Sequence, residues 1–185
     1  MGKLIVWNIA SVDGYFEGPE PWDLALHETV WGDELETFSN EQLDGAEALV
    51  FGRRTYEGMA SYWADETGTI ADQMNAIRKY VVSDTLSDPG WNNTKLLGGD
   101  IATALTGLKR EAKGHLYVFG SADLVSFLLS TGLVDEYRLC IAPLLLGRGN
   151  PLFKPSDTRI DLRLLKSQPL RNGGIILYYG VGNAA

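Results

Sequence analysis

The chain has 185 residues, 45% of them hydrophobic, which suits one compact domain able to bury a sheet between helices. It carries 24 acidic against 16 basic residues, a net charge of −8, and no segment gathers the lysines and arginines that would neutralise a nucleic-acid backbone. A single cysteine, Cys140, excludes an intrachain disulfide, and with only His27 and His115 a His/Cys metal site or a histidine-assisted nucleophile is poorly supplied.

Leu4 to Ala10 is apolar on nearly every position, the pattern of a strand covered on both faces. It is too short for a membrane span or a secretory core, so a soluble cytoplasmic protein is expected. Beyond it, Glu17 to Asn40 carries Trp22, Trp31 and Phe38 among many carboxylates, with one helix expected within Leu24 to Phe38. Such an excursion is either a surface insertion or a lid and pocket wall. Ala46 to Phe51 reads as a second buried strand that ends in Gly52 and passes into a helix over Arg54 to Tyr62. Tyr80 to Ser83 and Lys95 to Leu97 are further short strands, the latter followed by Gly98 and Gly99. Asp100 then opens a helix over Ile101 to Ala112, with Gly114 closing it. Leu116 to Phe119 is the next strand, Gly120 its turn, and Ser121-Ala122-Asp123 the start of a helix over Leu124 to Thr131. This alternation predicts a mainly parallel α/β sheet. After Gly132, the runs Glu136 to Ala142, Leu162 to Gln168 and Ile175 to Val181 follow one another without a helix, which predicts antiparallel strands at one edge. No repeat or linker divides the chain, so residues 1–185 are read as one domain.

Two strand-glycine-helix junctions can carry chemistry. Such a junction aims free backbone N–H groups and the positive end of a helix dipole at whatever lies above the strand's carboxyl end, and glycine removes the side chain that would block close approach. At Gly52 the junction adds Arg53 and Arg54, with forked and permanent charge, and the Thr55 hydroxyl. Phosphate is the natural ligand, although an arginine pair can equally be solvated surface. The junction at Gly120 repeats the geometry with Ser121 and Ala122, where Ser121 is also a helix cap. The dinucleotide fingerprint G-x-G-x-x-G is absent from the chain. Ser83 and Gly98 end neighbouring strands and either border the same crevice or are ordinary turn residues.

The opening Ser11-Val12-Asp13-Gly14, completed by Gly18, resembles the SxDGxxxG start of the dihydrofolate-reductase and RibD C-terminal families. Gly52 to Glu57 is similar to their cofactor-phosphate turn, and residues 118–125, 132–139, 143–149 and 152–153 follow the carboxyl pattern of the RibD C-terminal group. The resemblance implies a dihydrofolate-reductase-like three-layer fold: a mainly parallel central sheet with antiparallel carboxyl-terminal strands. It implies an NADPH-dependent reductase of a small heterocyclic substrate, like the riboflavin-biosynthesis reductases, and a homodimer. NADPH would lie along the carboxyl edge of the sheet, with Arg53 or Arg54 and Ser83 near its 2′-phosphate. Gly52, Thr55, Gly120, Ser121 and Ala122 would hold the pyrophosphate, and the nicotinamide would face Asn8 to Ala10. Asp13 is the first candidate for substrate binding or proton relay; Glu28, Asp33, Glu34 and Glu36 are the alternatives if the acid comes from the first helix, as in dihydrofolate reductases proper. Trp22 and Trp31 either wall the substrate pocket or pack a lid. Asp135 and Glu136 begin a strand or contact a second subunit. Dihydrofolate reductases place two glycines where this chain has Gly120-Ser121, a departure that points away from folate as substrate. Two other readings stand beside the reductase: a nucleotide-binding module without turnover, and a true dihydrofolate reductase. No deaminase zinc motif is present, so in riboflavin synthesis the chain would supply only the reducing half.

Overall fold

A computed structural model describes residues 1–182 of the chain. Eight strands form one sheet: β1 (Leu4–Ser11), β3 (Ala46–Gly52), β4 (Arg78–Val82), β5 (Thr94–Leu97), β6 (His115–Phe119), β7 (Glu136–Ala142), β9 (Leu162–Pro169) and β10 (Ile175–Val181). Their order is β5-β4-β3-β6-β1-β7-β10-β9. The first six in that order run parallel, whereas β10 lies antiparallel to β7 and β9 antiparallel to β10. Two short strands, β2 (Tyr15–Glu17) and β8 (Asn150–Pro151), pair separately as a ribbon. The helices are α1 (Asp33–Asp44), α2 (Arg53–Trp63), α3 (Thr69–Ala76), α4 (Ile101–Glu111) and α5 (Ala122–Ser130).

The uninterrupted apolar run of β1 follows from its central place, because alternate residues enter different layers. Leu4, Val6 and Ala10 pack with Leu105 of α4 and with Leu124, Val125 and Leu128 of α5. On the other face Ile5 joins Tyr56 of α2 and Met74 of α3, and Ile9 joins Leu35 and Phe38 of α1. The architecture is thus three-layered, α4 and α5 on one side and α1, α2 and α3 on the other. Local chemistry agrees with these elements. Asp100 caps α4, accepting from the Thr103 amide at 3.1 Å and its hydroxyl at 2.7 Å, and Lys109 and Arg110 sit in the last turn, where the dipole favours them.

Three expectations need correction, and one helix had no expectation to meet. Glu136–Ala142 is parallel to β1 along its length, so only β9 and β10 are antiparallel. The helix expected within Leu24 to Phe38 is instead a 3-10 turn at Ala25–Thr29 followed by α1, which runs to Asp44. Helix α3 had no counterpart in the sequence reading, and α4 ends at Glu111, before Gly114.

Candidate functional site

Strands β3 and β6 are neighbours, paired at Val50 and Val118, so the turns that follow them lie side by side at the carboxyl edge. Helices α2 and α5 leave those turns on opposite faces of the sheet, and their amino ends converge there. The approach is tight. A Cβ on Gly52 would lie 2.8 Å from the Ser121 Oγ, and one on Gly120, whose φ is +72°, would lie 3.1 Å from the Thr55 methyl. Ser121 also adopts a positive φ, +57°, and its hydroxyl caps α5 by accepting from the Leu124 amide at 3.4 Å. Ala122 is buried at the first turn of α5. At α2 the N-cap is Gly52, no side chain caps the helix, and its first turn holds no acid. Its amides are left for solvent or an anion.

Arg53 and Arg54 diverge from this edge. Arg53 donates to Glu57 at 2.8 Å and to the Thr85 hydroxyl at 2.7 Å. Ser83 Oγ accepts from the amides of Thr85 and Leu86 at 3.2 and 3.0 Å. Arg53, Ser83 and Thr85 therefore form one polar group beside the end of β4, and Gly98 approaches it: a Cβ there would lie 3.1 Å from Asp84 Oδ1. Arg54 turns the other way, to Glu17 Oε2 at 3.7 Å. Glu17 is buried and also accepts from the Trp22 amide at 2.6 Å and from Asn150 Nδ2 at 2.9 Å. Trp22, at φ +66°, lays its ring on α2 where Gly58 leaves room; a Cβ on Gly58 would fall 1.9 Å from that ring. This places Trp22 against the helix that carries Arg53 and Arg54. Trp31 is 51% exposed and, among the described residues, belongs to none of the packed aromatic pairs.

Asp13 is engaged as a loop anchor. Its carboxylate accepts from Ser11 Oγ at 2.6 Å and from the amides of Leu146 and Gly147 at 3.0 and 2.7 Å. The Ser11 hydroxyl, then the Leu146 amide, hold its pKa down to about 2. A carboxylate so stabilised in its charged form suits anchoring or substrate binding better than donating a proton at neutral pH. The sheet-facing side of α1 is Leu35, Phe38, Gln42 and Leu43. Glu28, Asp33 and Glu36 are exposed, and Glu34 accepts from the Arg171 amide at 2.8 Å. Burial pushes His27 down to about 4, leaving it neutral. Asn8 and Ala10 are buried on the α4–α5 face, and Asn8 Oδ1 accepts from the Tyr137 hydroxyl at 2.7 Å, so neither side chain meets the opposite face. Asp135 and Glu136 tie down the start of β7: Asp135 accepts from the Leu4 amide at 2.7 Å, and Glu136 pairs with Lys3 at 3.1 Å and Arg138 at 2.7 Å.

The residues that sequence reasoning passed over are Trp7 and Phe119. They pair across β1 and β6 immediately before Gly120, whose amide donates to the Trp7 carbonyl at 3.4 Å. Both are half-buried. They lie on the seam between the core under α2 and α3, which Phe119 joins, and the core under α1, which Trp7 joins through Phe38 at a ring distance of 4.7 Å. An aromatic residue in a central strand reads as core, so only its proximity to Gly120 in space marks it. Among the described residues no three His, Cys, Asp or Glu converge as metal ligands, and no helix is long and apolar enough to cross a membrane.

The model of the RibD C-terminal domain family matches residues 2–176. An uncharacterized Bacillus subtilis protein, YyaP, is 26% identical over 185 residues, covering 96% of this chain and 94% of that protein. The crystal structure of a putative riboflavin biosynthesis protein from Shewanella sp. PV-4 superposes with a TM-score of 0.79 at 22% identity, covering 98% of this chain and 99% of that one. A dihydrofolate reductase from Enterococcus faecalis, complexed with NADP(H), superposes with a TM-score of 0.65 at 14% identity over 98% of both chains.

Proposed function

Because the chain belongs to the RibD C-terminal domain family, we propose that it is an NADPH-dependent reductase of a small heterocyclic substrate, working in the cytoplasm. The observation that carries this reading is the convergence of the Gly52 and Gly120 turns. Two helix starts meet at one point of the sheet edge without an acid in the first turn of α2, a fit for a diphosphate. The Arg53, Ser83 and Thr85 group lies to one side and suits the 2′-phosphate that distinguishes NADPH from NADH. Trp7 and Phe119 lie to the other and offer flat apolar surface to planar rings.

When bound, NADPH supplies a hydride. The chain's part is to hold donor and acceptor rings in register on the Trp7–Phe119 seam and to exclude competing geometries. The segment from Asp13 to Trp22, which follows β1 at the same end of the sheet, is fastened to residues 146–151 by Asp13, by the β2–β8 ribbon and by Glu17. No carboxylate on α1 faces the sheet, so the proton that completes reduction comes from solvent. The same feature removes the acid that a folate-type site would need, and dihydrofolate reduction is not proposed. It also favours a second reading, a module that binds a nucleotide without turnover. NADPH oxidation across pyrimidinones, pterins and quinones, run beside NADPH and NADH titrations, decides between them. Turnover on any of these acceptors supports the reductase; tight NADPH binding without turnover supports the sensor.

We also propose a homodimer. On the face that carries α4 and α5, those helices leave the β9–β10 edge bare, where Leu164 is 54% exposed and Leu162 44% exposed, across from Tyr179 and Val181. A bare apolar sheet face of this kind marks an association surface.

A further inference from the structure

At the opposite edge of the sheet, where β3, β4 and β5 begin, lies a groove of about 490 Å³ walled by Ile77, Arg78, Asn93, Thr94 and Lys95, with Glu47 at one side. It lies at the amino ends of the strands, whereas Gly52 and Gly120 close their carboxyl ends. Two cations against Glu47 give its lining a net positive charge in a chain that carries −8, although Arg78 also borders an adjoining hollow with Glu47 and Glu111. Among the described residues, neither Arg78 nor Lys95 has a carboxylate within ion-pair distance. Both are exposed. The Glu47 carboxylate is turned to the Gly114 amide, at 3.5 Å.

A third cation lies behind the groove wall. Lys79 is 0% exposed, yet its ammonium meets no carboxylate. It donates to the carbonyls of Ile77 at 2.8 Å, Asn75 at 3.0 Å and Asn92 at 3.3 Å, and stands 4.4 Å from the centre of the Trp91 ring. Neutral dipoles satisfy its hydrogen bonds and leave its charge uncompensated. Ile77, whose carbonyl accepts one of these bonds, also lines the groove, which places the buried charge beside it.

We propose that this groove is a second ligand site, for a small oligophosphate held between the Arg78 guanidinium and the Lys95 ammonium. The register supports two-point capture. Thr94 pairs with Lys79, which sets Arg78 and Lys95 two residues apart on neighbouring parallel strands, roughly 8 Å between their Cα atoms at ordinary strand spacing. A single carboxylate reaches one of these cations; a diphosphate reaches both, and guanidinium favours its paired oxygens. Asn93 and Thr94 do not compete, since Asn93 Nδ2 donates to the Ala76 carbonyl at 2.9 Å and Thr94 Oγ1 donates to the Asn92 carbonyl at 3.3 Å.

The test is calorimetric titration of inorganic pyrophosphate into the wild-type chain, an R78Q/K95Q variant and an R53Q/R54Q variant, with NADPH titrated into each. All four substituted residues are exposed, and a thermal melt of each variant checks that it folds. With NADPH present at saturation to occupy the Gly52 and Gly120 turns, the proposal expects pyrophosphate to bind wild type and R53Q/R54Q alike, and at least tenfold more weakly to R78Q/K95Q. It expects NADPH affinity to be unchanged in R78Q/K95Q. Absence of pyrophosphate binding to the wild-type chain, or equal binding to wild type and R78Q/K95Q, overturns the site. Loss of NADPH binding in R53Q/R54Q alone bears on the cofactor reading and leaves this one standing.

Discussion

Ser121 stands where a positive φ is required and where its hydroxyl caps α5. A left-handed conformation costs a residue with a Cβ roughly 1–2 kcal/mol, and a cap contributes about 1 kcal/mol. Ser121→Ala keeps the strain and loses the cap, and is expected to lower stability by about 1 kcal/mol; Ser121→Gly loses the cap but relieves the strain, and is expected to be close to neutral. Denaturant midpoints of the two variants check this. Asp13 makes a different prediction. Its pKa is held near 2, below the ordinary value, so its contribution is present above the ordinary carboxylate range and is lost as pH falls through about 2. Hydrogen exchange at the Leu146 and Gly147 amides should therefore be slow at neutral pH and quicken in Asp13→Asn, while any turnover keeps its pH profile. A displaced profile would return Asp13 to the chemistry. Both residues were visible in the sequence as members of motifs. The cap at Ser121 was legible there too; the anchoring task of Asp13 was not, because a carboxylate's role depends on which amides the far loop brings to it.

At the scale of elements, the strands were legible because burial on two faces leaves a continuous apolar run, as in Leu49, Val50 and Phe51 of β3. Helix α3 was not: it has eight residues, no side-chain cap and Gly68 before it, and its stability comes from packing of Ala71 and Met74. The direction of β7 was equally hidden, since it depends on β7 pairing with β1, on the far side of β1 from β6. Lys79 in β4 carries a consequence for this half of the sheet. Burial lowers its pKa from 10.5 to about 8, so between those values the unfolded chain binds the proton more tightly, and stability rises with pH through that window. The rise is on the order of 3 kcal/mol. Urea midpoints at pH 7 and pH 9, below the range where unfolding would ionise the Cys140 thiol, should rise for wild type and change little for Lys79→Met. On α2, Gly58→Ala would drive a Cβ into the Trp22 ring, so the variant should release Trp22 into solvent, with a red-shifted emission, while α2 stays folded.

For the whole molecule, three layers around a mainly parallel sheet bring two distant glycine turns, at residues 52 and 120, into contact at one edge. That adjacency was inferred from the sequence as a pair of matching junctions, whereas the Trp7–Phe119 seam required the strand order. The exposed β9 edge predicts self-association: light scattering should report a dimer, and Leu164→Lys with Leu162→Lys should shift it to monomer without loss of fold. The central claim is that the two turns jointly hold the diphosphate of NADPH. Backbone amide NMR during an NADPH titration tests it most directly. The account predicts saturable shifts concentrated at residues 52–55 and 120–122, with Ser83 and Thr85 responding to NADPH and not to NADH. Absence of binding at millimolar NADPH, or binding that leaves both turns unperturbed, would contradict it.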